Sequence, residues 1–186
     1  KVVVLTTAPI FTMKPNEAYL EGAAGDIAGE LLPLLRFHDN WKTLTAASLL
    51  ESHDYTWRDV NKGYTPITDV GAYMSGDYMY NTNTTEEIPA LTEFYLDRIA
   101  ALCAENGSTL VLVTVPCAAD WNLARHNGTK AFADARGLTY IDYNLPEASV
   151  DMDWRTDTPD GGVHLNLMGA RKVSAALGSY LMQNFD

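Results

Sequence analysis

The stretch "TLVLVTVP", Thr109–Pro116, decides the fold class. It is apolar almost throughout, with no alternation of polar and apolar positions. A strand with one wet face alternates, whereas a strand covered on both faces reads as a continuous apolar run, the pattern of a parallel sheet flanked by helices. Working outward, "KVVVLTT" (Lys1–Thr7) has the same character, and "LTYIDY" (Leu138–Tyr143) is a shorter third run. Helical patterns lie between and after these strands. Thr84 and Glu87 have the spacing of a capping box, ahead of a helix whose apolar stripe is Leu91, Phe94, Tyr95, Ile99 and Leu102 and which Gly107 ends. A second helix is predicted over Asn127–Ala135, stopped by Gly137. A third runs from Asn166, a favourable N-cap, through Val173, Leu177, Tyr180 and Leu181. Strands alternating with helices predict an α/β fold built on a parallel sheet.

Between the first two strands lies a long irregular region, 9–85, with short helices expected around Ile27–Phe37 and Leu44–Ser52. It is rich in aromatics, among them Phe37, Trp41, Tyr55, Trp57, Tyr64, Tyr73, Tyr78 and Tyr80. Connections of this length in compact domains serve as lids or binding loops, so 9–85 is read as an insertion within a single domain spanning 1–186. These aromatics are open to two readings, a sugar-stacking platform or a small core of the insertion itself. A buried strand at the first residue is an unusual way to begin a domain. The expectation is that the chain continues a longer polypeptide, or meets a second fragment that completes the sheet.

The chain has 186 residues, 47% hydrophobic and 20% charged, enough to bury a core. Its formal net charge of -11 argues against a nucleic-acid partner, which requires a basic footprint. No apolar run approaches the roughly 20 residues of a membrane helix, so the chain itself is expected to be soluble. Cys103 lies near the end of a predicted helix and Cys117 beyond the following antiparallel strand. That separates them by roughly 20 Å at about 3.3 Å per residue, too far for a disulfide. The four histidines are scattered with no zinc-type spacing, so neither a metal nor a cofactor is expected.

The chemistry concentrates in "TDTPDGGVHLNLMGA", Thr156–Ala170. His164 stands in a loop after the third strand, where it can reach the carboxyl edge of the sheet, the side on which parallel sheets build their sites. An imidazole acting as a base needs a carboxylate on Nδ1. Asp160 is four residues upstream and Asp157 seven, and Gly161 and Gly162 give the loop freedom to fold an acid back, which favours Asp160. Asn166 follows as a possible site-lining residue. Cys117, after Pro116 at the end of a strand, is open to two readings, a thiolate nucleophile paired with His164 or a small buried apolar residue. His38 in "LRFHDNW" either lines the site or braces the insertion with Arg36 and Trp41. His53 and His126 are read as surface residues.

"DGGVHLNLMGARKV" resembles the last conserved block of the SGNH (GDSL-type) hydrolases, an acid, a histidine and then a helix. "LLPLLRFHDNW" and "TLVLVTVPCAADWN" extend the resemblance, which covers most of the chain, to an envelope-associated bacterial branch of that family. The resemblance implies a three-layer α/β/α, flavodoxin-like sheet in the order 2-1-3-4-5, of which the three runs here correspond to strands 3, 4 and 5. The family's serine follows strand 1 in a G-D-S motif. Neither G-D-S nor G-x-S-x-G occurs in these 186 residues, so the nucleophile is expected upstream. Two departures stand out. The family places its acid three residues before the histidine, where Gly161 stands here, and its third strand ends in G-x-N-D, where Thr6–Thr7–Ala8–Pro9 stand here. The implied activity is ester hydrolysis or O-acyl transfer on a small-molecule or carbohydrate ester, outside the cytoplasm in the bacterial cell envelope. The alternative is a catalytically silent glycan-binding or assembly module.

Overall fold

A computed structural model of the chain describes residues 1–11, 63–80, 83–148 and 150–185. Contacts group Lys1–Lys14 with Pro66–Asp186 and set Pro15–Thr65 apart; the architecture below is that of the first group. The helices expected around 27–37 and 44–52, and Phe37, His38, Trp41, His53, Tyr55 and Trp57, lie outside the described residues.

Three strands, β1 (Val2–Thr6), β2 (Thr109–Thr114) and β3 (Thr139–Asp142), form one parallel sheet in the order β1-β2-β3. Val2 lies opposite Thr109, and Val111 opposite Thr139. The described helices are α1 (Ala90–Glu105), α2 (Leu123–Arg136) and α3 (Leu167–Asn184). The central strand explains the layering. Successive side chains of a strand point to opposite faces. Leu110 and Leu112 therefore join a core with Leu96 and Cys103 of α1 and Phe132 and Ala133 of α2. Val111 and Val113 join a second core with Val173 of α3 and Tyr143. These four aliphatic side chains are all 4% exposed or less, and each contributes about 1.5–3 kcal/mol by leaving water. No helix among the described residues is long and apolar enough to cross a membrane.

The structure departs from the sequence pattern in three places. Among the described residues β1 is an edge strand rather than one buried on both faces: Val3 and Val4 are more than a third exposed. The buried face of α1 is Thr92, Leu96 and Cys103, backed by Ile99 and Ala100, while Phe94 and Leu102 of the expected stripe face outward. This helix is apolar on most sides, so its own pattern does not select a face; the sheet does. The Thr84–Glu87 capping box does not form, for α1 begins at Ala90 behind Pro89, with no side-chain cap. A residue preceding proline is pushed out of helical geometry, which bars Ile88 from the helix. The segment before it is pinned to α2: Asn127 Nδ2 donates to Thr84 O (2.8 Å), and the Glu86 N–H to Ala124 O (3.0 Å).

Candidate active site

The loop that carries the candidate residues is built from its own sequence. Gly161 and Gly162 both take positive φ, +75° and +96°, a region that an L side chain resists. Two such residues turn the chain back within one loop. Thr158, fully buried, accepts the Gly162 N–H on its hydroxyl (2.8 Å). Asp160 then faces its own successors. Its Oδ1 accepts the backbone N–H groups of Val163 (3.2 Å) and His164 (2.9 Å), and its Oδ2 lies 2.5 Å from His164 Nδ1. Partial burial works against the Asp160 charge, but the His164 N–H, the imidazole and the Val163 N–H outweigh it and hold the carboxyl below its ordinary value. The His164 side chain is 69% exposed, so the edge of the ring away from Asp160 is open to a reactant.

Asp157 is placed differently. Its side chain is 2% exposed and its Oδ2 accepts from Lys172 Nζ (2.6 Å) and from the Asp153 N–H (2.7 Å). It fastens the base of the loop to α3 and makes no bond to His164. Asn166 is likewise occupied: Oδ1 caps α3 through the Met168 and Gly169 N–H groups, and Nδ2 donates to Asp69 O and Thr156 O. With its amide fully engaged, it holds the loop rather than lining a site. The segment 67–73 runs along the same loop. The Gly71 N–H donates to Thr158 O (2.9 Å), and Gly71 O accepts the Gly161 N–H (2.7 Å). The Tyr73 N–H donates to Trp154 O, and Ile67 O accepts the Leu167 N–H. A Cβ on residue 71 would sit 2.4 Å from Pro159 O, so the approach requires glycine.

The end of β2 lies against the other side of the loop. The Ala119 N–H donates to Gly162 O (3.1 Å), and the Cys117 thiol donates to Val163 O (3.3 Å). Cys117 is 4% exposed and burial pushes its thiol up, the opposite of an activated nucleophile; its bond to the loop is structural. Both cysteines are free. Asn144 organises this corner: Nδ2 donates to Val115 O and Asp142 Oδ1, while Oδ1 accepts from the Cys117 N–H and the Tyr78 hydroxyl. Tyr73, Tyr78 and Trp154 pack edge to face with one another, centroids 5.6–6.1 Å apart. Tyr78, Trp154 and Asn144 wall a cleft of about 460 Å³. Tyr78, one of the aromatics assigned to the insertion, thus belongs to the wall of a cleft beside β3.

His126 was expected on the surface and is instead nine-tenths buried, its Nδ1 2.8 Å from Asp142 Oδ2. Asp142, at the end of β3, also receives Trp121 Nε1 and the Tyr140 hydroxyl on Oδ2, and the Asn144 N–H and Nδ2 on Oδ1. Tyr140 gives its one hydrogen to Asp142, so Thr114 donates to Tyr140 and Thr7 to Thr114. Thr7 and Thr114 are fully buried. This chain joins the carboxyl ends of all three strands. The sequence signal for it is weak: polar residues recur at each strand end, but nothing local says that the α2 histidine turns toward them.

The arrangement offers an oriented imidazole at the carboxyl edge of a parallel sheet. Among the described residues no group of three or more His, Cys, Asp or Glu side chains could hold a metal ion. In comparisons with known proteins, no family model, no curated protein and no solved structure matches the chain.

Proposed function

We propose that this chain carries the acid–histidine half of a serine-dependent acyl-transfer site of SGNH type, on a flavodoxin-like α/β/α domain. The observation that carries the reading is the Asp160–His164 pair, with Nδ1 2.5 Å from Oδ2 and the rest of the ring exposed. A carboxylate on Nδ1 keeps the proton there, leaves Nε2 as the basic nitrogen and stabilises the imidazolium that forms. The paired positive-φ glycines supply the physical reason why a four-residue spacing serves where the family uses three.

In this reading a serine oxygen from outside these 186 residues attacks the acyl carbon while His164 Nε2 takes its proton. The C–O bond to the leaving alcohol then breaks as His164 returns that proton to it. Water in an esterase, or a sugar hydroxyl in an O-acyltransferase, repeats the sequence on the acyl-enzyme. The substrate in this reading is an acyl ester, of a small molecule or of carbohydrate, in a protein of the bacterial envelope. A second reading is a non-catalytic glycan-binding or assembly module. Ester turnover by the polypeptide that contains both this chain and the serine separates the two. His164→Ala is expected to lower turnover by about 10⁴ to 10⁶, with the fold intact by circular dichroism. Near-native turnover in that variant removes His164 from the mechanism.

A further inference from the structure

The side chains of Asp160 and His164 are 39% and 69% exposed, and most of what holds them is their own loop. Asp160 Oδ1 accepts the amides of Val163 and His164, which belong to the same turn and move with it. A third donor reaches that oxygen from the interior. The Thr158 hydroxyl lies 3.4 Å from Asp160 Oδ1, and Thr158 has no exposed surface. Thr158 Oγ1 also accepts the Gly162 N–H at 2.8 Å and the Asp160 N–H at 3.5 Å. With two amides on its lone pairs, the hydroxyl has its one hydrogen left for the carboxylate. The rest of the residue is fixed as well. Its carbonyl accepts the Gly71 N–H (2.9 Å), and a β-branched side chain is stiff at χ1.

A half-exposed carboxylate is free to turn about its Cβ–Cγ bond unless one oxygen is pinned. If it turns, Oδ2 leaves the imidazole, and the ring can carry its proton on Nε2, where it no longer acts as a base. We infer that Thr158 is a positioning residue for the Asp160–His164 pair: its hydroxyl ties Asp160 Oδ1 and the Gly162 amide to the buried part of the loop, so that Oδ2 stays on His164 Nδ1. The contact to Oδ1 is long, as hydrogen bonds of unliganded sites often are before a reactant tightens them. The inference rests on the acyl-transfer reading only for its effect on turnover, because the position of the proton on His164 is a property of this chain alone.

Nitrogen NMR of the His164 imidazole, at a pH where the ring is neutral, tests it. The unaltered chain is expected to show the proton on Nδ1. Thr158→Val keeps the shape and removes the hydroxyl, and is expected to move the proton population toward Nε2. Thr158→Ser restores the hydroxyl and is expected to restore the Nδ1 form. Val173→Ala, a buried truncation on α3, is expected to lower stability and leave the His164 proton in place, which separates positioning from loss of stability. In the polypeptide that also contains the serine, Thr158→Val is expected to lower kcat about tenfold with KM unchanged, the low end for a hydrogen bond to a charged group. If the proton moves as stated and no ester is turned over, the positioning role stands and the acyl-transfer reading falls. Should Thr158→Val not fold, hydroxyl exchange decides: the Thr158 hydroxyl proton is expected to exchange slowly in the unaltered chain and faster in Asp160→Ala. An unmoved proton in folded Thr158→Val, an equal displacement in Thr158→Ser, or equal hydroxyl protection in Asp160→Ala overturns the proposal.

Discussion

Asp157 and Asp160 stand three residues apart in opposite surroundings, and substitutions separate them. Asp157→Ala leaves the Asp153 N–H and Lys172 without their acceptor at a position only 2% exposed. The expected loss is about 2–3 kcal/mol of stability, read from urea denaturation. Asp160→Ala, on a side chain 39% exposed, is expected to cost no more than about 1 kcal/mol. A reversed order would show that Asp160, not Asp157, anchors the loop. Tyr143 offers a contrasting case. Its hydroxyl is buried with no hydrogen-bond partner among the described residues, and burial pushes its acidity down. Removing an unsatisfied group avoids its desolvation cost, so Tyr143→Phe is expected to be neutral or to stabilise by up to about 1 kcal/mol; a loss above that on the same denaturation curve would mean that the hydroxyl is bonded after all. The Asp160–His164 relation was readable in the sequence because it spans four residues and its glycines announce the turn. His126 was not, because its partner lies on another element and both are placed by the sheet.

At the scale of elements, the three strands were legible within a residue or two of their observed ends, since a continuous apolar run has few alternatives in a parallel sheet. The described helices were legible as helices, and α3 also in rotation, with Val173 and Leu177 turned to the core, whereas α1 was not. α1 could turn several apolar faces inward, and only Leu110, Leu112 and Phe132 decide that Leu96 and Cys103 go in. Nor could the sequence reveal that 67–73 lies along the 154–167 loop, because extended segments without a ladder carry no periodicity. Gly71 tests that contact. Gly71→Ala forces a Cβ to within 2.4 Å of the Pro159 carbonyl, a clash with backbone that only displacement relieves. Overpacking of this kind costs about 1–3 kcal/mol. The variant is expected to expose the Gly161 and Leu167 amides, whose hydrogen exchange should accelerate while exchange in β2 stays slow. Unchanged protection at Gly161 would mean that the segment does not hold the loop.

For the molecule as a whole, acidity sets an order of events. The folded Asp160 carboxyl titrates below its unfolded counterpart. Its contribution is therefore fully present above the unfolded value, about 3.9, and is lost as pH falls through the lower folded one. The chain's net charge of -11 vanishes earlier, near the sequence pI of about 4.6, where proteins associate most readily. Turbidity is expected to peak near that pH while the Asp160 carboxyl carbon signal still reports an ionised group, titrating only below the ordinary carboxylate value of about 3.9; an Asp160 carboxyl midpoint above that value would contradict the lowered carboxyl. The clamp on the loop also has a consequence in time. The Asp160–His164 bond closes over 4 residues, whereas Asn166 reaches Asp69 across 97. Local contacts form early and distant ones late, because loop closure must precede them. During refolding the pair is therefore sampled long before it is held, and the loop reaches its working rigidity only when a segment made much earlier in the chain arrives to lock it.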